Sequence, residues 1–293
     1  MITRRNSLWR LLSFASLLAI ACALLLTASP KSSAQKLAPE DVVTRHLESI
    51  GSAKERAAIK TRIISGTSQV VFHTTPVGQA VGRAVLASEG VKNLIGMSFP
   101  SPVYPREELG FNGNSFIAAY STPGARSSLG SFLMTHDLIF KQGLMSGTLS
   151  SAWPLLDLAG RGAQLAYAGT KKVDNRTLHE LKYLPHKGSD LKISVFFDEQ
   201  SFQHVRTEYE RIIAAPTGDR SYVAGVTRET RYKMVEEFSE FRKEGGLTLP
   251  HTYKIKLTID TPTGTFLADW IITLTQFDFN QPIDPTSFTI TSK

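Results

Sequence analysis

The chain has 293 residues, with 33 lysines and arginines against 26 aspartates and glutamates, a formal net charge of +7. Much of that excess sits at the N-terminus: setting aside Arg4, Arg5, Arg10 and Lys31, with no acidic residue before position 35, leaves 29 basic and 26 acidic residues, or +3. So small a charge, without a dense basic cluster interleaved with aromatics, argues against nucleic acid as a partner. The single cysteine, Cys22, precedes position 35, which excludes disulfides, thiol catalysis and thiolate metal sites from residues 35–293.

The first predicted element is a targeting segment. Three arginines precede the apolar run LLSFASLLAIACALLLTA, and Ser32-Ser33-Ala34 places small residues where signal peptidase cuts. Residues 1–34 are therefore expected to be a secretory signal cleaved before Gln35, which predicts export to the bacterial periplasm. A retained membrane anchor is the competing reading, because the run is about as long as a short transmembrane span. Acylation at Cys22 fits poorly, since the cysteine lies inside the run and not at its end.

Residues 35–293 read as one domain with no tandem repeat and no low-complexity linker. Pro39, Glu40 and Asp41 open a helix whose Val42, Val43, His46, Leu47 and Ile50 recur at helical spacing until Gly51. A short helical piece is predicted over 53–59. From Lys60 the hydrophobic period changes to two, in runs such as IISGTSQVVF, KNLIGMSF, LKISVFFDEQ and TFLADWIITLTQFDF. Asn112-Gly113-Asn114, Asp174-Asn175, Lys187-Gly188-Ser189, Gly245-Gly246 and Thr263-Gly264 supply hairpin turns between them. Asn175-Arg176-Thr177 also matches a glycosylation sequon, but it reads better as part of such a turn. One long antiparallel meander is the expectation, interrupted between Ser127 and Leu158 by an apolar stretch with a helix near 128–143 and a shorter turn around 151–159.

The strands alternate between an apolar and a polar face. Tyr253, Ile255, Leu257 and Ile259 share one row, and Phe266, Ala268, Trp270, Ile272 and Leu274 form the richest. Tyr232, Met234 and Phe238 make a sparser one. In the 206–211 run, Arg206, Glu208 and Glu210 fall opposite Thr207, Tyr209 and Arg211, the charged row reading as a solvated outer face. A long sheet with one apolar face curls, and its concave side must be filled by its own side chains, by helices or by a ligand. Few apolar residues lie outside the strands and the two helical segments, so an incompletely filled hollow is one outcome and a core plugged by those helices the other.

Several landmarks resemble a known family. The glycine-ended helix HLESIGS, the strand IISGTSQVVF, the stretch DEQSFQHVRTEY, Phe238-Ser239-Glu240-Phe241-Arg242-Lys243 with Gly246 and Leu249-Pro250, and Pro282-Ile283-Asp284-Pro285 with Phe288 are together similar to the LolA/LolB-like periplasmic lipoprotein carriers. The resemblance covers most of residues 35–293. It implies a mainly β fold: a single curved antiparallel sheet forming an unclosed half-barrel, with helices covering a hydrophobic hollow that receives acyl chains. It also implies an arginine that holds the cover closed, for which Arg62 is the positional candidate. The chain is longer than the small carriers of that family.

Signatures of catalysis are absent: there is no G-x-S-x-G, no H-E-x-x-H, no P-loop and no complete G-x-G-x-x-G. The seven histidines are scattered, His136 on the helical stretch and His179 and His186 about Pro185, without zinc spacing. No catalytic residue, metal or cofactor is predicted, and the expected activity is non-enzymatic binding or transport of a lipid or the acyl chains of a lipoprotein. The residues expected to line the hollow and its lid are Phe132, Leu133, Phe140, Leu144, Trp153, Leu155 and Leu156 from the insert, and Ile255, Leu257, Trp270 and Ile272 from the sheet. Gly143, Gly147 and Gly160 flank the lid as candidate hinges. The competing expectation is an envelope interaction or scaffold module with a filled core, using its charged outer rows to meet a protein partner.

Overall fold

The computed structural model describes residues 37–75, 77–215 and 229–291. The expected signal peptide, with Cys22 and the cut after Ala34, lies outside them, as does the middle of the link between the strands ending at Ile213 and beginning at Thr230. No described helix is long and apolar enough to cross a membrane.

Helix α1 (Pro39–Ile50) begins as its sequence dictates, with Pro39 in the first turn and the Asp41 carboxylate accepting from the Ala38 backbone N–H at 3.3 Å. Val42, His46 and Ile50, spaced by four, are its buried stripe. A short α2 (Ala53–Ala58) follows, capped by Ser52. Five strands come next: β1 (Thr61–Phe72), β2 (Gly78–Glu89), β3 (Lys92–Ser98), β4 (Arg106–Phe111) and β5 (Phe116–Ala118). After the insert, seven more complete the sheet: β6 (Gln164–Val173), β7 (Arg176–Leu184), β8 (Lys192–Asp198), β9 (His204–Ile213), β10 (Thr230–Glu244), β11 (Leu247–Thr261) and β12 (Gly264–Phe279).

All twelve strands form one antiparallel sheet in the order β5-β4-β3-β2-β1-β12-β11-β10-β9-β8-β7-β6. The fold is thus the mainly β, unclosed half-barrel expected, with one refinement to the meander. The chain runs outward from β1 to one edge, jumps to the opposite edge at β6, and meanders back until β12 pairs with β1. Turn chemistry sets the hairpins: Asp174 and Asn175 (φ 48° and 63°), like Gly245 and Gly246 (56° and 92°), hold the paired left-handed conformations that match strand twist.

The insert is the link between the two edges. It contains α3 (Ser128–Thr135), α4 (Leu138–Lys141), 3-10 turns at Gly147–Leu149 and Pro154–Leu156, and α5 (Leu158–Arg161). The single helix expected over 128–143 is therefore two, broken at His136 and Asp137. A segment leaving β5 and entering β6 must cross the open side of the sheet, and it does so over the concave face. There Leu133, Phe140, Leu144 and Trp153 join Ile255, Leu257, Trp270 and Ile272 in one core of nearly inaccessible side chains. The convex face is wet and charged, with Arg206, Glu237 and Lys256 linked across three strands at 2.5 and 2.8 Å. It also carries a small apolar patch in which Phe196 is buried with Leu178 and Val205.

Candidate functional site

The middle of the concave face is packed, and polar side chains of the sheet hold the insert there by its backbone. Asn93 on β3 donates to the Met145 carbonyl (3.2 Å), and the Ser146 N–H donates to Glu236 on β10 (2.8 Å). Arg62 on β1 donates to the Thr148 carbonyl (2.6 Å), while the Ser151 N–H donates to Ser88 on β2 (2.9 Å). Four strands thus grip residues 145–151. Arg62 is buried, and desolvation lowers its pKa to about 10, which still leaves it cationic at neutral pH. The positional candidate for a cover-holding arginine does bond the insert.

Glu236 is the most enclosed acid of this grip. It shares the inward row of Met234 and Phe238, and Tyr209 and Tyr253 each donate to it at 2.6 Å. Burial pushes its pKa up to about 7 against the stabilising effect of those donors. The insert turns sharply at this point: Ser146 and Gly147 adopt φ 68° and 50°, and a Cβ on Gly147 would fall 2.6 Å from the His204 ring, so only glycine fits. His204 stacks on Trp153 at 4.5 Å, and the Trp153 indole donates to His46 Nε2 at 3.0 Å. With Nδ1 of His46 donating to the Phe202 carbonyl at 3.0 Å, α1 is tied to the same assembly. Burial lowers the His46 pKa to about 4 and that of His204 well below its usual range, so both act as neutral rings.

Toward the β1/β12 end the packing stops. A cleft of about 340 Å³ opens between the strand tips, the 101–104 loop and the start of α3, walled by Phe72, Ala80, Val103, Tyr104, Phe266 and Trp270. No charged side chain among the described residues lines it. Val77 and Val103 at its rim are 77% and 72% exposed, large values for apolar side chains that no described element covers. Behind the wall runs a hydrogen-bond chain: the Trp270 indole donates to Tyr104 Oη (2.8 Å), whose hydroxyl donates to Glu107 (2.5 Å), which also bonds the Ser127 hydroxyl. Ser127 in turn caps α3, accepting the Gly130 N–H at 2.8 Å. Burial raises the Glu107 pKa to about 7.

Of the residues expected to line the hollow, Leu133, Phe140, Leu144, Trp153 and Leu155 with Ile255, Leu257 and Ile272 lie in the packed middle. Leu156 is only half-buried. Trp270 alone of them reaches the apolar cleft, while Phe132 lines a second, polar cleft that shares Ser128 with the first. Sequence reasoning missed the grip. Its signal was present, however, since Arg62 and Glu236 each sit at the inward phase of an apolar alternation, beside Ile64 and Met234.

No protein-family model and no curated protein matches the chain. Among solved structures it is similar to a domain described as an outer membrane lipoprotein-sorting protein from Vibrio parahaemolyticus, at 13% identity and TM-score 0.41 over 84% of this chain and 97% of that one. A DUF1329 family protein from Desulfovibrio piger matches at 10% and 0.41, over 85% and 96%. A LolA superfamily protein from Nitrosomonas europaea matches at 9% and 0.43, over 87% and 98%.

Proposed function

We propose that the protein is a non-enzymatic carrier of the bacterial envelope that binds a lipid, or the acyl chains of a lipoprotein, in its half-barrel. The insert is its cover and the apolar cleft the point of entry. The observation that carries this reading is the uncharged, aromatic-walled cleft of about 340 Å³, a volume within the ordinary range of small-molecule sites, with exposed valines at its rim. Trp270 joins that cleft to the interior rows of Ile255, Leu257 and Ile272, so a chain entering the cleft meets the side chains of Phe72, Phe266 and Trp270. Each methylene buried there would contribute about 0.8 kcal/mol. Export by a cleaved signal, expected from the first 34 residues, would place the protein where such ligands occur.

A second reading is favoured by the packed middle of the concave face: an envelope interaction module whose core is complete and whose convex charged rows meet a protein. Native mass spectrometry with lipid extraction, on protein purified without detergent, separates the two. Co-purified lipid that disappears in Phe266→Asp and Val103→Asp, with circular dichroism unchanged, is the expected result. Protein that is bare and takes up no fluorescent fatty acid would leave the interaction module standing and remove the carrier.

A further inference from the structure

The concave face at the open end is graded in character by strand register. Arg211 on β9 pairs with Tyr232 on β10, Tyr232 with Ile259 on β11, and Ile259 with Phe266 on β12. The ring of Phe266 then lies 6.3 Å from that of Phe72 on β1. Directly paired side chains lie about 5 Å apart, so this is one continuous floor running from a guanidinium to an aromatic wall.

At the guanidinium end is the second cleft, of about 330 Å³. It is lined by Arg126, Arg211 and His136 with the hydroxyls of Ser128, Ser131 and Thr135, and by no carboxylate among the described residues. Arg126 has no acidic partner among the described residues: its Nε donates to the Ala118 carbonyl (2.8 Å) and its guanidinium lies 4.7 Å over Tyr120. Arg211 gives its Nε to Asp190 at 2.6 Å, and that carboxylate, 54% exposed and 3.8 Å from His136, stands outside the lining. The terminal nitrogens of both arginines are therefore uncommitted to any acid among the described residues. Arginine forks and hydroxyls are the groups that recognise phosphate with paired, charge-assisted hydrogen bonds.

Ser128 lines both clefts, which makes them neighbours along one mouth. We infer that this mouth binds a phosphate-headed lipid, its phosphate between Arg126 and Arg211 and its alkyl chain across Ile259 and Phe266 into the apolar cleft. The inference rests on the carrier reading above and assigns its ligand a head group. An uncharged amphiphile would leave the terminal nitrogens of the two arginines without an anion. A free phosphate would leave the apolar cleft empty.

The test uses three probes on the protein: 1-palmitoyl-lysophosphatidic acid, 1-monopalmitoylglycerol, which has the same chain and no phosphate, and glycerol 3-phosphate, which has the phosphate and no chain. Dissociation constants come from native mass spectrometry below the micellar concentration. The lysophosphatidic acid should bind at least about tenfold more tightly than monopalmitoylglycerol, the factor expected of one charge-assisted contact. Arg126→Gln with Arg211→Gln should erase that preference while monopalmitoylglycerol still binds. Ser131→Glu, on the exposed side of α3, should weaken the lysophosphatidic acid selectively without removing any described side-chain contact, and it serves if the double variant fails to fold. Equal binding of the two palmitoyl probes, or a preference that survives both variants, overturns the head-group assignment alone. Glycerol 3-phosphate binding as tightly as the lysophosphatidic acid overturns the lipid as the source of the phosphate. Binding of neither palmitoyl probe overturns the carrier reading together with this one.

Discussion

The middle of the concave face and its open end are built from the same strands, yet they treat the insert in opposite ways. In the middle, side chains of four strands bond the backbone of residues 145–151, and the apolar side chains around them are buried. At the open end the sheet's side chains face the start of α3 across two clefts, and apolar rims stay exposed. An irregular segment can be buried only where its backbone groups are answered. The polar side chains that bond residues 145–151 are therefore what allow the middle to close, and the two clefts lie where that backbone bonding stops.

The most damaging way to break this contrast is Glu236→Ala. It would strip the partner from two buried tyrosine hydroxyls and the Ser146 N–H at once, and a loss of about 3–5 kcal/mol in urea unfolding is expected. Phe266→Asp at the open end should cost far less stability while removing lipid binding. A loss from Glu236→Ala no larger than that from Phe266→Asp would show that the middle does not depend on its polar grip.

The contrast sharpens with pH. Glu107 and Glu236 have folded pKa values near 7, above those of the unfolded chain, so the folded state holds extra protons between about 4.5 and 7. Their contribution is full below the unfolded pKa and is lost as pH rises through about 7, on the order of 3 kcal/mol for each. His46 and His204, with lowered values, act in the other direction: their contribution is full above about 6.5 and is lost as pH falls through the folded pKa, about 4 for His46. Melting temperatures of Glu236→Gln should accordingly fall less than those of the parent between pH 6 and 8. Parallel curves for the two proteins would contradict the shift assigned to Glu236.

The smallest effect belongs to the convex face. Lys256→Ala removes one arm of the Arg206–Glu237–Lys256 network, and a change below about 1 kcal/mol is expected in the same unfolding assay. A larger loss would mean that the outer rows matter to the fold as much as the inner ones.

How far these regions were legible in the sequence follows from what sets them. Period-two alternation and turn residues located the strands, and the two-turn apolar stretch located the insert, because both depend on local chemistry. The break at His136 and Asp137 was not legible, since helix α3 ends where its neighbours require. Nor was the grip fully so: Glu236 was passed over within the row of Met234 and Phe238 because alternation identifies a face but not the partner across it. Arg62 was reached only by position. Phe196 alternates outward from Val195 and Phe197, yet local packing with Leu178 and Val205 covers it, which period-two alternation does not show. The two clefts depend on how β9 to β2 align over the tip of α3, which no single stretch encodes.

Pairing of β1 with β12 has a consequence for how the molecule comes into being. Strand β1 must wait, with one flank unsatisfied, until the polypeptide has been synthesised through β12. Up to that moment the two halves of the ladder are separate pieces with bare edges. That delay keeps the central seam open while each half of the ladder forms around its own hairpins.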